Sequence, residues 1–301
     1  MRVLIIGCGY VGLPLGRALA EQGHEVFGMR RSEENKQAMK DAGITPIIAD
    51  LTMPGLLPML PGPFDWVVNL VSSDKGGPEE YRRVFLEGTR ALIAWMRESP
   101  PKKFIYTSST SVYGQTDGSQ VKETALTQPA TETGKILVET EKLLMDAVVR
   151  FKVPAVILRV AGIYGPDRGH LFQQFLRGEA KLDGDGSRIL NMIHVDDLVS
   201  AILAALKSGR PGEIYNAVDD EPIPQLHFFR WLSETMGKPM PPAASASETA
   251  ARKRGVTSKR VVNRKLVMEL GCRFKYPNFR LGYTAETVRL ERLGLIEPPK
   301  D

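Results

Sequence analysis

Six short apolar runs interleaved with four stretches of helical hydrophobic spacing dominate the first half of the chain. The runs are Val3–Gly7, His24–Arg30, Thr45–Ala49, Trp66–Val71, Lys103–Ser108 and Ala155–Val160; the helical stretches are Val11–Gln22, Glu33–Asp41, Glu79–Ser99 and Glu132–Phe151. A strand that is apolar on both sides needs cover on both faces, so this alternation predicts a parallel sheet between two helical layers. In the last helical stretch Ile136, Thr140, Leu143, Leu144 and Ala147 recur at helical spacing, with Glu139 and Lys142 turned outward. Right-handed crossovers then leave an α/β, doubly wound parallel sheet of Rossmann type. After Gly165 the rhythm changes to short helices, a hairpin-like Asp183-Gly184-Asp185-Gly186 turn and connections rich in proline (Pro222, Pro224, Pro239, Pro241, Pro242). The division reads as a dinucleotide-binding domain over 1–165, with 189–220 returning to it, and a smaller mixed α/β substrate-binding domain over 166–301. Pro239–Glu248 reads as a mobile loop.

Composition narrows the function classes. With 43% hydrophobic and 25% charged residues over 301 positions, the chain is neither disordered nor fibrous. Two cysteines, Cys8 and Cys272, are too few for a disulfide framework and suit a reducing cytoplasm. No apolar run reaches the roughly 20 residues of a membrane span. Arg17 interrupts the apolar N-terminus, which argues against a secretion signal. The net charge of +5 is local: 252–265 holds Arg252, Lys253, Arg254, Lys259, Arg260, Arg264 and Lys265 without an acid, and the other 33 basic residues fall just short of the 35 acidic ones. The segment carries no aromatics to stack on bases, so it reads as a solvated surface or a contact for a phosphorylated substrate rather than a nucleic-acid site.

Gly7-Cys8-Gly9-Tyr10-Val11-Gly12 ends the first strand and opens a helix. The first glycine permits the turn, the second lets backbone approach a pyrophosphate, and the third lets helix and strand pack closely. Gly7, Gly9, Tyr10, Val11 and Gly12 are therefore cofactor-binding candidates. An acid ending the second strand would bond the ribose hydroxyls of NAD, but here stand Arg30 and Arg31, which suit the 2′-phosphate of NADP. NADP is the expected cofactor, with NAD possible because Glu33 and Glu34 follow closely. Asp50, with Leu51, sits where it touches the adenine side or caps the next turn.

The sequence resembles the extended short-chain dehydrogenase/reductases, the NAD-dependent epimerase/dehydratase group acting on nucleotide sugars. The residues that carry the resemblance are the glycine loop, Gly88-Thr89, the run Thr107-Ser108-Ser109-Thr110-Ser111-Val112-Tyr113-Gly114, and Lys135 with Glu139. Further on come Arg159, Tyr164-Gly165-Pro166, Ile193-His194-Val195-Asp196-Asp197 and Tyr215-Asn216. The resemblance implies that Lys135 holds the nicotinamide ribose, that Ser109 bonds the substrate oxygen, and that Ser108 lies beside the cofactor. It also implies a tyrosine general acid/base four residues before the lysine, where this chain has Thr131. A threonine hydroxyl is far too weak an acid for that role and could only relay a proton through water. Phe85 and Gly162 stand where the family has asparagines, and Thr110-Ser111 replace the Asp-Glu of its 4,6-dehydratases, so a dehydratase is not expected. The look is that of atypical members lacking the usual Tyr.

Tyr164 and Tyr113 are the phenols that could replace the missing one, each with packing as the plain alternative. His194 titrates in the right range, yet sits where a strand meets a helix, with Asp196 or Asp197 as the expected N-cap. Tyr113, Tyr164, His194, Ser109 and Arg260 make up the expected substrate contacts. The four histidines and two cysteines never cluster at metal-ligand spacing, so no metal is expected. The sequence thus reads as an NAD(P)-dependent oxidoreductase or epimerase acting on a sugar, nucleotide sugar or similar hydroxy/carbonyl compound. The rival is a non-catalytic NADP(H)-binding module on the same scaffold. A small-molecule substrate, no nucleic acid, no membrane and a homodimer through the two long helices complete the expectation.

Overall fold

A computed structural model describes residues 1–53, 55–73, 76–245 and 257–297 of the chain. Strands β1 (Arg2–Ile6), β2 (Glu25–Arg30), β3 (Ile44–Ile48), β4 (Trp66–Asn69), β5 (Lys103–Ser109), β7 (Ala155–Val160) and β11 (Ile214–Ala217) form one sheet in the order β11-β7-β5-β4-β1-β2-β3. Every pairing in it is parallel. Period-two alternation sends neighbouring side chains to opposite faces. Leu4, Ile6, Phe104 and Tyr106 join one core with Leu92, Met96, Leu137 and Leu144, while Val3, Ile5 and Ile105 join the other with Leu15, Leu19, Ile202 and Leu206. The first layer comes from α4 (Gly88–Glu98) and α5 (Glu132–Phe151), the second from α1 (Gly12–Glu21) and α7 (Val195–Ser208). Burying such a leucine or isoleucine is worth about 1.5–3 kcal/mol, so neither face tolerates a polar substitution.

Two expected helices begin differently. Glu33 and Glu34 stand outside the second one, which spans only Lys36–Asp41 (α2); Lys36 bonds back to the Glu33 carboxylate and Ser32 bonds Glu34. The expected Glu79–Ser99 helix starts as α3 (Pro78–Tyr81), widens to a π-helical stretch over Arg82–Glu87 and resumes as α4. A Cβ on Gly88 would lie 3.0 Å from Leu51 Cδ2, so the helix resumes hard against the loop after β3.

The chain leaves the sheet after β7 and returns for β11. Outside the sheet lie the two-stranded pairs β8 (Gly162–Tyr164) with β10 (Met192–His194), β9 (Ile189–Leu190) with β12 (Ile223–Pro224), and β6 (Gln120–Val121), which precedes β7, with β13 (Arg260–Val261). A third core, rich in rings, joins Tyr164, Phe172 of α6 (His170–Leu176), Phe228, Phe229, Phe279 and Tyr283. Gly186 N–H donates to the Asp183 carbonyl at 2.9 Å, so the expected turn forms, but the strand after it pairs with Ile223–Pro224 and makes no hairpin. Part of the expected mobile loop, 246–248, and Arg252, Lys253 and Arg254 of the basic run lie outside the described residues. Among those described, no helix is long and apolar enough to cross a membrane.

Candidate functional site

The carboxyl ends of the strands gather the glycine loop after β1, Arg30 at the end of β2, Asp50 after β3, and Ser108 and Ser109 at the end of β5. Strand order reverses between β1 and β4, the point where a crevice opens over a doubly wound sheet. Gly7 has φ +85°, and a Cβ there would lie 2.7 Å from the Leu70 carbonyl group, so the turn admits glycine alone. A Cβ on Gly12 would meet the Gly7 carbonyl oxygen at 3.0 Å and Ile5 at 3.2 Å, fixing helix against strand. Gly9 is different: its nearest neighbour would be 4.0 Å away. No described protein atom requires glycine there, which fits the close backbone approach that the loop pattern assigns to a pyrophosphate. Val11 precedes α1 with no side-chain cap, and the first turn carries no acid, which leaves the helix N-terminus open to an anion.

Arg30 deepens the same anion site. Its Nη2 donates to Ser32 Oγ at 3.4 Å, while Nη1 is buried with no hydrogen-bond partner among the described residues. A buried, charged donor left unmade costs about 1–3 kcal/mol or more. Glu33 pairs with Lys36 at 3.2 Å and Glu34 with Ser32 at 3.5 Å, so neither acid is held at the end of β2. Arg31 lies close enough to Asp50 to act on its charge. Asp50 accepts from Thr52 N and Oγ1 at 2.9 and 2.8 Å; burial works against its charge, but those bonds with Arg83 and Arg31 hold the carboxyl below its ordinary value. These bonds are those of the turn-capping role expected of Asp50. Leu51 is buried in the core and offers no polar contact. The groups present therefore fit a dinucleotide phosphate chain and an extra phosphate.

The other end is occupied by internal bonds. Ser109, paired in register with Val160, accepts from Ser111 N–H at 3.1 Å, and its neighbour Ser108 is buried with its hydroxyl unpartnered. Thr131 is the N-cap of α5, accepting from Gly134 N–H at 3.2 Å. Lys135, exposed on the first turn, pairs with Glu132 at 2.6 Å.

The structure does not bring the two candidate phenols to an open site. Tyr113 is wholly buried; its hydroxyl donates to Asn216 Oδ1 at 2.7 Å and accepts from Arg159 Nη1 at 2.8 Å. Burial raises this phenol above its ordinary value in spite of Arg159, which itself forms a buried pair with Glu141 at 2.7 Å. Tyr164 is 1% exposed, stacks on Tyr283 at 4.5 Å and bonds the Asn278 carbonyl at 3.3 Å; burial lifts its phenol far above the range of a proton donor. Both side chains leave their strand ends toward partners supplied from far along the chain. Neither expected aspartate caps α7. His194 does so, its Nδ1 accepting from Asp196 N–H at 3.1 Å, and burial lowers the imidazole below its ordinary value. Asp197 instead accepts from the backbone N–H groups of Lys275 and Tyr276 at 2.6 and 2.9 Å.

The basic run is not a uniformly solvated surface. Lys259 is 4% exposed, donating from Nζ to the Tyr113 carbonyl at 2.9 Å and to Thr257 Oγ1 at 2.8 Å, and burial pushes its ammonium down to about 8. It thereby pins the turn that begins at Ser109. Composition marked this residue only as one charge among seven. Arg260 donates to the Gly118 carbonyl at 2.8 Å and lines a cavity of about 530 Å³ with Thr116, Asp117, Ser187, His227 and Ser258. No group of three His, Cys, Asp or Glu side chains among the described residues is placed to hold a metal ion.

A sequence profile of the NAD dependent epimerase/dehydratase family matches residues 3–217. Protein YeeZ of Escherichia coli (strain K12) is 28% identical over 286 residues, covering 92% of this chain and 97% of its own. A solved structure of a conserved protein of unknown function from Silicibacter pomeroyi DSS aligns at 30% identity with a TM-score of 0.78, over 96% of this chain and 98% of that one. UDP-glucuronic acid 4-epimerase from Bacillus cereus, solved with NAD, shares the fold at 22% identity with a TM-score of 0.82, over 97% and 99% of the two chains.

Proposed function

The chain belongs to the NAD dependent epimerase/dehydratase family, and from that premise we propose that it is an NADP-preferring oxidoreductase or epimerase. Its substrate is a sugar, nucleotide sugar or similar hydroxy/carbonyl compound. The observation that carries the reading is the glycine loop itself, whose second glycine faces open space while its neighbours pack against protein. In this reading residues 1–165, with β11, hold the dinucleotide, and the part built on 166–301 holds the substrate. Gly7–Gly12 cradle the pyrophosphate and Arg30, with Arg31, takes the 2′-phosphate. When bound, the nicotinamide supplies hydride transfer at the substrate carbon. Ser109, while accepting from Ser111 N–H, donates its hydroxyl proton to the substrate oxygen, and Lys135 exchanges Glu132 for the nicotinamide ribose. Arg260 faces the substrate from the 530 Å³ cavity.

Paired calorimetric titrations with NADPH and NADH test the cofactor half, and tighter NADPH binding is expected. If NADH binds more tightly, the arginine argument fails and the enzyme reading stands. Lys135→Met tests the chemical half: turnover and nicotinamide binding should both be lost, and unchanged turnover removes the assigned role. A second reading, a cofactor-binding module without turnover, is favoured by one observation. Thr131, Tyr113 and Tyr164 all have their hydroxyls engaged within the fold. Tight NADPH binding with no substrate-driven oxidation across a broad carbonyl panel would establish it.

A further inference from the structure

The glycine loop Gly7-Cys8-Gly9-Tyr10-Val11-Gly12 contains no cation, although its expected ligand carries a doubly charged pyrophosphate. A cation stands over it from another part of the chain. The guanidinium of Arg168 lies over the ring of Tyr10, 4.7 Å from the centroid. Tyr10 in turn donates its hydroxyl to the Pro166 carbonyl at 3.0 Å, and Arg168 N–H returns to the Gly165 carbonyl at 3.0 Å. A Cβ on Gly165 would lie 2.9 Å from the Tyr10 hydroxyl and 3.1 Å from His194 Nε2, so this turn is seated directly on the loop.

The charges around Tyr10 are matched except for this one. Asp167, Glu286 and Asp196 all act on the Tyr10 hydroxyl, and each carboxylate has another cation. Arg289 binds Asp167 at 2.5 Å and Glu286 at 2.7 Å, and Lys275 binds Asp196 at 3.0 Å. Arg168 is exposed and has no ion pair among the described residues. An arginine stacked on a ring keeps its N–H fork free at the edge, the arrangement that suits a phosphate.

We propose that Arg168, held on the face of Tyr10, is the pyrophosphate-binding cation of this site. It supplies from the Gly165–Gly169 turn the charge that the glycine loop lacks, so the substrate half of the chain contributes to cofactor binding. This rests on the dinucleotide reading of the loop.

Calorimetry with ADP-ribose, NADPH, NADH and adenosine 2′-monophosphate tests it on the full chain, wild type against Arg168→Ala and Arg168→Lys. Arg168→Ala should weaken the three pyrophosphate ligands by a common factor of about ten or more, leave adenosine 2′-monophosphate unchanged, and flatten the salt dependence of ADP-ribose binding. Arg168→Lys, which keeps the charge, should recover part of the loss. If wild type binds ADP-ribose and Arg168→Ala binds it equally well, the assignment is overturned while the dinucleotide reading stands. If Arg168→Ala weakens adenosine 2′-monophosphate as much as ADP-ribose, Arg168 is a structural support of the loop and the assignment is again overturned. If wild type binds none of the four ligands, the dinucleotide reading falls and takes the assignment with it.

Discussion

Polar groups at the β1–β2 end of the sheet are left open, and those at the β5–β7 end, the buried Ser108 hydroxyl apart, are closed. At the first end Gly9 faces empty space, Arg30 Nη1 lacks an acceptor, and α1 begins without a cap. At the second, Ser109 holds Ser111, Thr131 holds Gly134, Lys135 holds Glu132, and Tyr113 is locked between Arg159 and Asn216. An unmade buried donor is costly to a free protein, and the dinucleotide proposed for the first end would recover that cost by supplying acceptors. On the proposed function the second end exchanges internal bonds, the Lys135–Glu132 pair first, for bonds to its ligands. Its affinity is reduced by the bonds it gives up, and its specificity depends on which of them a substrate can replace.

The largest test of this contrast compares two glycines. Gly9→Val places a Cβ no nearer than 4.0 Å to its closest neighbour, the Gly7 carbonyl oxygen, so the melting temperature should stay within a few degrees of wild type. NADPH affinity should fall by about a hundredfold or more, since the backbone can no longer approach the phosphates. Gly7→Ala drives a Cβ into Leu70 and should lower both. A Gly9→Val protein that binds NADPH normally would show that the open space is incidental. Next in size, Arg30→Ala should weaken NADPH by about ten- to a hundredfold and leave NADH untouched, the difference being one charge-assisted contact. Equal losses for both cofactors, read by calorimetry, would move Arg30 from recognition to structure.

A smaller test probes the closed end through Lys259. Burial holds its ammonium down to about 8 in the folded protein, while in the unfolded chain it keeps the ordinary 10.5. Between those values the unfolded state binds the extra proton, so stability owed to this position rises with pH, by at most ~1.4 kcal/mol per unit, and is flat below 8. Urea midpoints of wild type should therefore gain on those of Lys259→Met from pH 8 to 10. Parallel curves would mean that the amine is not buried in solution.

How much of each end can be read from the chain follows from the same physics. The turn at Gly7 and the position of Arg30 at the end of β2 follow from their own backbone and their own strand, so local sequence suffices. The β5–β7 end is decided by partners far away. Tyr113 meets Asn216, Tyr164 meets Asn278 and Tyr283, and Lys259 reaches back to the Tyr113 carbonyl. No local pattern announces such meetings, and a basic run conceals the burial of Lys259. The cap of α7 was misassigned for a related reason: Asp is the commoner cap, yet β10 delivers the His194 ring onto the Asp196 N–H. The sheet itself was legible because both of its faces are apolar, whereas the π-helical stretch over Arg82–Glu87 leaves the hydrophobic spacing almost unchanged.

The smallest effect concerns Thr131, which stands where the family resemblance expects the proton-transferring phenol. Its hydroxyl caps α5, and a lost cap costs about 1 kcal/mol. Thr131→Ala removes both the cap and any relay, whereas Thr131→Asn keeps an accepting oxygen for Gly134 N–H and removes the hydroxyl. If the residue is only a cap, Thr131→Asn should match wild type in urea midpoint and in turnover, while Thr131→Ala falls by about 1 kcal/mol in stability with turnover preserved under conditions where it is folded. If it relays a proton, Thr131→Asn loses turnover at full stability. The cap reading predicts the first pattern, because the hydroxyl oxygen already faces the helix N-terminus and the first turn of α5 is ordered around it. That outcome would leave the proton donor to be sought among groups that substrate binding uncovers, the behaviour expected of the closed end.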